Sequence, residues 1–478
     1  MASTSFESGG RLIIATNREP YRVRKGRSAD ARLEATTGGL VAALIPAVEA
    51  THGTWFAWNP NGRIDLTGIA DKLRHGLTLI PVSESEVAGY YRGLANGALW
   101  PLCHYAIDRC SFQESDWRKY IAVNEKFADR LAAEVSPECL VWVHDYHLML
   151  VPGLLRERVR EVSISYFHHI PFPSPEVFRI LPWRDEVLLG LLGADLVGFH
   201  TSSYARNFLE ACRSLPNARI DTQARTVSVS GRVTRVHEFP IGIDWDEFQG
   251  LARDTRVRKD AAKIRENLKV DTLALGVDRL DYTKGIHQRF ESIDRLLTKW
   301  PQLRGRISLL QIAVPSRADV PEYSKFKKEI DECAGRINGK HAQDGWQPIH
   351  CVYRSFSRRK LVAYYLAADI AIVTPLRDGM NLVAKEFCAV RSDDDGVLLL
   401  SEFAGVSECL GEWALLVNPF DTERFASSIA AAIAMPQPDR AERMRAMREA
   451  VKRYGVYDWT RDFLSHARLA KPPAASAG

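Results

Sequence analysis

Two strand-loop-helix segments in the C-terminal half of the chain place charged residues where open α/β sheets bind ligands. The first reads TLALGVDRLDYTKG, and its turn carries Arg279 and Lys284. The second reads IAIVTPLRDGMNLVAKE, and Asp378 and Glu386 lie in and just after its turn. In such sheets the carboxyl ends of the strands form the ligand-binding edge. These four residues are therefore the first candidates for chemistry.

The charges suit a ligand that has both phosphates and hydroxyl groups. Helix N-termini at this edge offer unpaired N–H groups and a favourable dipole to phosphate oxygens. Arg279 and Lys284 would add cations for a diphosphate, while Asp378 and Glu386 would accept hydrogen bonds from sugar hydroxyls. The two segments together indicate a sugar-nucleotide site.

The N-terminal half carries weaker candidates. Arg18 follows the first predicted strand and fits either an anion site or an exposed turn. Gly39 opens a helical run in which backbone N–H groups could approach a ligand closely. Trp58, Tyr91 and Trp100 lie in aromatic-rich stretches, which fit a core or the flat apolar wall of a sugar site.

Histidines and a further arginine follow other predicted strands. His144, Asp145 and His147 end one strand; no further ligand set for a metal is evident, so Asp145 accepting sugar hydroxyls is favoured. His169 follows the next strand and fits a catalytic acid or base, or a residue that orients a ligand through hydrogen bonds. Arg317 could reach a phosphate, or pair on the surface with the aspartate two positions later.

Composition and length exclude several classes of protein. A chain of 478 residues with 46% apolar and 26% charged residues is typical of a soluble protein of two or three domains. The net charge of +5 gives no reason to expect nucleic acid. The glycine-rich turns match neither the Walker loop nor the dinucleotide fingerprint, which argues against an ATPase or a dehydrogenase.

Cysteine usage and the amino terminus bear on location. The 8 cysteines form no C-x-x-C pair, which favours free thiols in a reducing compartment. The first residues have no export signal, and no apolar run approaches the roughly 20 residues that span a membrane. We expect a cytoplasmic protein without membrane contact.

Apolar runs alternate with amphipathic stretches along the whole chain, and this predicts an α/β protein. Val-, Ile- and Leu-rich strands between helices indicate parallel sheets in doubly wound domains. Two series of strands, with a break around residues 240–265, predict two such domains. The first series is 11–15, 140–144, 163–167, 196–199 and 236–239. The second is 273–277, 307–312, 349–353, 370–374, 397–400 and 414–417.

Taken in order, the motifs resemble those of the trehalose-6-phosphate synthases, which are retaining glycosyltransferases of the GT-B type. The resemblance runs from about residue 11 to about residue 464. The motifs are NR at 17–18, GGL at 38–40, WFAW at 55–58, YY at 90–91, LWP at 99–101, VHDYH at 143–147, HIPFP at 169–173, FPIGI at 239–243, RLDYTKG at 279–285, RING at 336–339, RDGMNLVAKE at 377–386 and SEFAG at 401–405.

The resemblance implies two Rossmann-like domains facing across a catalytic cleft. Residues 1–243 would bind the acceptor and residues 244–454 the nucleotide sugar. Residues 455–478 would form a helix that crosses back to the first domain, followed by a disordered tail.

The family also implies roles for single residues. Arg279 and Lys284 would hold the diphosphate, and Glu386 the ribose. Asp378 would hold the donor glucose. The other donor contacts would be Gly39, Gly379, Met380, Asn381, Leu382 and Val383. The acceptor would contact Arg18, Trp58, Tyr91, Trp100, Asp145, His169 and Arg317, with the two arginines on its phosphate. The catalytic set would be His169, Asp378, Arg279 and Lys284.

The implied reaction moves glucose from a nucleotide donor, UDP-glucose by family default, to glucose 6-phosphate, without a metal or cofactor. Uracil, guanine and adenine remain open as donor bases, and a homo-oligomer remains open as the assembly. The sequence AWNP at 57–60 departs from the usual motif of the family. The sequences NREPY at 17–21, TWFAW at 54–58 and HH at 168–169 are similar to glucosylglycerol-phosphate synthases, whose acceptor is glycerol 3-phosphate. A catalytically silent, sugar-phosphate-sensing relative is the other alternative. The intact charged residues of the donor motifs argue against it.

Overall fold

The computed structural model describes residues 10–24, 32–35, 39–60, 73–316 and 321–470. The chain forms two compact units, Met1–Ile241 with Val456–Gly478, and Gly242–Gly455. No helix within the described ranges is long and apolar enough to cross a lipid bilayer. The assignment of acceptor binding to one domain and nucleotide sugar to the other stays a prediction.

The strands and helices alternate along most of the chain. The strands are β1 Leu12–Ala15, β2 Tyr21–Arg24, β3 Arg32–Ala35, β4 Thr54–Pro60, β5 Gly76–Val82, β6 Leu140–His144, β7 Ser163–Phe167, β8 Leu196–Phe199, β9 Arg219–Asp221, β10 Thr226–Val229, β11 Arg232–Glu238, β12 Thr272–Arg279, β13 Ile307–Val314, β14 Ile349–Val352, β15 Ile370–Val373, β16 Val397–Ser401 and β17 Leu415–Val417. The helices are α1 Gly39–Ala50, α2 Glu84–Glu86, α3 Trp100–Cys103, α4 Glu114–Ala132, α5 Val151–Arg158, α6 Pro175–Phe178, α7 Arg184–Leu191, α8 Ser202–Ala211, α9 Trp245–Arg253, α10 Thr255–Leu268, α11 Ile286–Lys299, α12 Pro321–His341, α13 Arg358–Ala367, α14 Leu382–Val390, α15 Ser407–Leu410, α16 Thr422–Ala434, α17 Gln437–Arg453 and α18 Val456–Ala470.

The first unit is built on a nine-stranded sheet in the described part of the chain. Its order is β5-β4-β1-β6-β7-β8-β11-β10-β9. The strands from β5 to β11 pair in parallel, and β10 and β9 add an antiparallel edge. Strands β6, β7 and β8 are buried along their whole length, as expected for strands with helices on both faces. The chain first winds from β1 to β5 and then from β6 to β11, so the switch point lies between β1 and β6.

A π-helical stretch connects α2 to α3 in the first unit. It covers Val87–Leu99 and carries Tyr90 and Tyr91. π-Helical segments are rare and are frequently found at functional sites. The sequence pattern did not predict this conformation, since its apolar spacing does not distinguish it from an α-helix.

Helix α18 belongs to the first unit although it follows the second in sequence. The Trp459 indole N–H donates to the Phe239 carbonyl over 3.2 Å. Phe463 stacks on Trp142 of β6 with ring centroids 4.1 Å apart. Residues 471–478, for which a tail was predicted, lie outside the described residues.

The second unit contains a six-stranded, fully parallel sheet among the described residues. Its order is β14-β13-β12-β15-β16-β17. The chain winds outwards from β12 to β14 and then from β15 to β17, so the switch point lies between β12 and β15. Helix α11 buries Phe290, Ile293 and Leu297 in the core below this sheet. The core holds the two strands of the switch point in place.

Candidate active site

The charged turns of the second unit lie at its switch point, where open α/β sheets bind ligands. Arg279 is the last residue of β12 and is exposed. Lys284 ends a single 3-10 turn, Tyr282–Lys284, and is only 6% exposed. Asp378 lies beyond the end of the neighbouring strand, β15. The structure therefore brings the turns of the two sequence motifs to adjacent strand ends.

Backbone contacts join the two turns to each other. Gly285 has a φ of +65°, and a Cβ atom there would lie 2.1 Å from the Thr374 carbonyl oxygen. The Leu376 N–H donates to the Thr283 carbonyl over 2.7 Å. A side chain at position 285 would push these turns apart, which explains the glycine.

Lys284 and Asp378 form an ion pair. The Lys284 Nζ lies 2.6 Å from the Asp378 Oδ2. The family resemblance implies that these residues hold different parts of a donor, and the structure places them against each other. Asp378 also accepts from the Gly379 N–H and the Asn381 side-chain amide, each over 3.0 Å. The carboxylate is therefore held in one orientation by three donors.

The residues after Asp378 form a tight turn into helix α14. Asn381 has a φ of +76° and immediately precedes the helix, which begins at Leu382 and continues through Val383. Met380 is buried, and its carbonyl accepts from the Val406 N–H over 2.8 Å. The first N–H groups of a helix lack acceptors within the helix. The start of α14 therefore offers donors beside the ion pair.

Glu386 lies one helical turn further along α14. The Tyr365 hydroxyl donates to its Oε2 over 2.7 Å. Burial raises the pKa of the Glu386 carboxyl. Tyr365 was not among the predicted residues, because nothing in its sequence context distinguishes it from a core tyrosine.

Arg18, the predicted anion-binding residue, lies at the switch point of the first unit. Arg18 follows β1, and its Nη2 donates to the Tyr91 hydroxyl over 2.6 Å. Tyr91 stacks on His147 with centroids 5.7 Å apart, and Trp58 packs on Tyr91 at 4.9 Å. Four residues singled out in the sequence thus come together from four different segments of the chain.

Trp100 lies beside this cluster and is buried. The centroid of its ring lies 4.1 Å from that of His104 and 5.8 Å from that of Tyr146. The Tyr146 hydroxyl donates to the Asn96 Oδ1 over 3.0 Å. These contacts make Trp100 a core residue of the described structure, which does not test a role in sugar binding.

Asp145 and His169 meet at the ends of β6 and β7. Asp145 has a φ of +73°, and its Oδ1 accepts from the His169 N–H over 3.3 Å. The His144 Nδ1 lies 3.0 Å from the His169 Nε2. Burial, followed by the neighbouring histidines, holds the pKa of His169 well below its usual range. His169 is therefore a neutral imidazole at pH 7.

The additional His168 is a core residue. It is completely buried, and its Nδ1 lies 3.0 Å from the Tyr166 hydroxyl. Burial lowers the pKa of His168 to about 3. The His168 ring packs against Phe172 and Phe199, whereas the His169 ring packs against His144 and His200.

Two predicted residues have little or no described environment. Gly39 begins helix α1, and Arg317 lies outside the described residues. The proposed pair of arginines on an acceptor phosphate thus remains untested.

One group of metal-ligating side chains occurs among the described residues. His287, Glu291 and Cys333 have ligand atoms within 4.8 Å of one another. The guanidinium of Arg336 pairs with the Glu291 carboxylate. Its positive charge takes the place that a metal ion would need beside this carboxylate. His144, considered above as a metal ligand, bonds to His169 instead. The expectation of a reaction without a metal stays a prediction.

Comparison with known proteins identifies the family. The model for glycosyltransferase family 20 matches residues 10–468. The chain belongs to glycosyltransferase family 20. The predicted resemblance and the predicted GT-B fold are confirmed by this match and by the solved structures that share the fold.

Three relatives of this family 20 chain bear on its chemistry. It is 39% identical over 96% of its length to the UDP-forming alpha,alpha-trehalose-phosphate synthase A of Dictyostelium discoideum. A structure from E. coli with UDP-2-fluoro glucose bound has a TM-score of 0.87 and 33% identity, covering 96% of this chain and 99% of that one. A Burkholderia xenovorans synthase in complex with glucose-6-phosphate has a TM-score of 0.86 and 34% identity, covering 96% and 100%.

The family 20 chain differs from the Dictyostelium relative in length. It spans 63% of that protein, whereas it covers the whole of the Burkholderia synthase. None of these three relatives is named a glucosylglycerol-phosphate synthase.

Proposed function

We propose that the protein transfers glucose from UDP-glucose to glucose 6-phosphate, with retention, and forms α,α-trehalose 6-phosphate and UDP. The observation that carries this proposal is the Lys284–Asp378 pair at the switch point of the second sheet. It puts a cation and a carboxylate side by side in a family 20 chain, which supports a site for a sugar linked to phosphate. The names of the relatives, and the UDP-2-fluoro glucose and glucose-6-phosphate bound in two of them, support the same substrates.

Lys284 and Arg279 act on the diphosphate of the donor. Negative charge develops on the leaving phosphate as the bond from glucose C1 to oxygen breaks. Preorganised cations stabilise that charge without reorganisation at the moment of reaction. The N–H groups at the start of α14 add a second, uncharged source of stabilisation.

Asp378 acts on the sugar of the donor. While it pairs with Lys284, both charges are compensated in a largely buried place, where an isolated charge is costly. A bound donor offers a phosphate to the lysine and hydroxyl groups to the carboxylate. Exchange of these partners couples recognition of the diphosphate to recognition of glucose. Glu386 accepts hydrogen bonds from the ribose hydroxyls.

The first unit supplies the acceptor site. Arg18, oriented by the Tyr91 hydroxyl, binds the phosphate of glucose 6-phosphate. Asp145 accepts hydrogen bonds from the acceptor hydroxyls, and Arg317 is the predicted second phosphate ligand. His169 orients a sugar hydroxyl through a hydrogen bond and does not act as a general acid, since a pKa held well below the usual range disfavours the imidazolium form.

The proposed reaction needs no side chain of the protein as a general base. The anomeric hydroxyl oxygen of the acceptor forms a bond to donor C1 on the face that the diphosphate leaves. Its proton passes to an oxygen of the departing phosphate. The reaction needs close positioning of the reactants and exclusion of water, because water would otherwise attack the donor.

The test uses purified protein with donor labelled with carbon-13 at C1. Incubation with UDP-glucose and glucose 6-phosphate should give the anomeric signals of an α,α-linked disaccharide phosphate in the NMR spectrum, with release of UDP. Glycerol 3-phosphate as acceptor, and GDP- and ADP-glucose as donors, complete the matrix. Preference for glycerol 3-phosphate would establish the alternative acceptor, and no turnover with any pair would indicate a silent relative. The cytoplasmic location and the assembly state remain predictions that this assay does not address.

A further inference from the structure

A fully buried arginine lies directly beneath the proposed diphosphate site. Arg289 is in the first turn of α11, four residues after Gly285, and its side chain is 0% exposed. A charged group in such a place is costly unless it is paired and hydrogen-bonded. Replacing a buried ion pair by apolar residues is often neutral or stabilising. Stability alone therefore does not account for this arginine.

The guanidinium joins three neighbouring strands of the sheet, β13, β12 and β15. Its Nη1 donates to the Asp278 Oδ2 of β12 over 2.6 Å and to the Gln311 Oε1 of β13 over 2.5 Å. Its Nη2 and Nε reach the Thr374 Oγ1, which follows β15, over 3.2 and 3.3 Å. Its Nη2 also lies 3.5 Å from the Lys284 carbonyl oxygen. The contacts therefore span the switch point.

The sheet leaves room for this group at one position. A Cβ atom on Gly276 would lie 2.3 Å from the Arg289 Nη1 and 2.3 Å from the Gln311 Oε1. No side chain at position 276 fits while the guanidinium keeps these contacts. The glycine in β12 and the arginine in α11 thus form one arrangement.

We propose that Arg289 is a positioning residue for glucose transfer. It fixes the turn that carries Lys284 against the segment of Thr374 that leads to Asp378, and so sets the distance between the cation and the carboxylate. The proposal rests on the proposed function, in which Lys284 binds the donor diphosphate. Neither Arg289 nor Thr374 touches a substrate in this mechanism.

The primary test is Thr374→Val, which keeps the shape of the residue and leaves the Arg289–Asp278 pair intact. We expect kcat to fall about tenfold, the effect of one hydrogen bond to a charged group. Arg289→Lys retains a charge beside Asp278 but cannot reach all three partners. We expect kcat of this variant to fall about a hundredfold, which is the effect of misplacing a catalytic group by about 1 Å.

The matched control is Ser308→Ala. Ser308 is buried at the amino end of β13, and its hydroxyl donates to the Gln347 carbonyl over 2.9 Å. This variant loses one buried hydrogen bond in the same sheet, away from the switch point. It should lower the melting temperature about as much as Thr374→Val does, and leave kcat at the wild-type level.

A double variant separates positioning from general destabilisation. With Lys284→Ala already present, Thr374→Val should cause no further loss of kcat, because the residue that it positions is gone. An undiminished second loss, or wild-type kcat in Thr374→Val, would overturn the proposal.

The affinity for UDP, measured by calorimetry, keeps the inference testable if wild type transfers no glucose. In that case the proposed reaction has failed. Weaker UDP binding by Thr374→Val would still support the positioning role, and unchanged UDP binding would overturn it.

Discussion

Replacing Lys284 by alanine is the sharpest perturbation of the proposed donor site. A lysine ammonium about 4 Å from a phosphate charge gains about 4 kcal/mol at an effective dielectric constant of about 20. Loss of that energy from the transition state corresponds to about a thousandfold in rate. The variant also leaves Asp378 without its ion partner beside an anionic donor, which adds to the loss. Folding should survive, because Asp378 keeps the Gly379 and Asn381 donors, each at 3.0 Å.

The measurement is the initial rate of UDP release as a function of UDP-glucose at saturating glucose 6-phosphate. Lys327→Ala is the matched control, since Lys327 also lies 2.6 Å from a carboxylate, that of Asp331, but on the surface of α12. Exposed pairs contribute about 0–1 kcal/mol to stability, so this control should keep wild-type kcat. A Lys284→Ala enzyme within a few-fold of wild type, with its fold intact, would remove the assignment of Lys284 to the diphosphate.

Three further predictions concern binding of the acceptor, independence of turnover from a metal ion, and the effect of buried His168 on stability. Arg18→Ala should raise KM for glucose 6-phosphate about tenfold or more, because a hydrogen bond between charged groups is lost, while KM for UDP-glucose stays unchanged; an effect on the donor alone would contradict the acceptor role. Treatment with a chelator should leave turnover intact, since Arg279 and Lys284 supply the positive charge, and rescue of a dead enzyme by a divalent ion would refute this. Burial lowers the pKa of His168 to about 3, so its contribution to stability is present above pH 6.5 and is lost as pH falls towards 3. Urea unfolding at pH 7, 6 and 5 should therefore show a shallower loss for His168→Gln than for wild type, by up to about 1.4 kcal/mol per pH unit; parallel curves would contradict the assignment.

The strands of the two parallel sheets were largely predictable. Predicted strands at 140–144, 163–167 and 196–199 coincide with β6, β7 and β8. These segments are buried on both faces, so their apolar character is continuous and their ends are marked by polar turns. Right-handed crossovers then favour doubly wound sheets, while the strand order is seen only in the structure. It places the charged turns at the switch points.

Other elements have no such signal. The antiparallel hairpin β2–β3 and strands β4, β5, β9 and β10 were not predicted. Strand β9 has exposed or half-buried residues, and β10 has a single buried residue, so an apolar run is missing. Strand β4 contains a proline and two tryptophans that read equally well as a loop with core contacts. In such segments pairing with a neighbouring strand decides the conformation, and the apolar pattern of the segment does not show that pairing.

The same limit applies inside the candidate site. Residues that share one turn, such as Arg279 and Lys284, were found because their chemistry is local in the chain. The Lys284–Asp378 pair joins positions 94 residues apart, and Arg289 meets Thr374 across 85. Arg289 lies in a stretch with the ordinary pattern of an amphipathic helix, where an arginine is expected to face solvent. Only the close approach of β12, β13 and β15 turns it inwards. A motif therefore identifies the groups that could act on a donor, whereas the distances that let them act together are set by buried polar contacts that the motif does not contain.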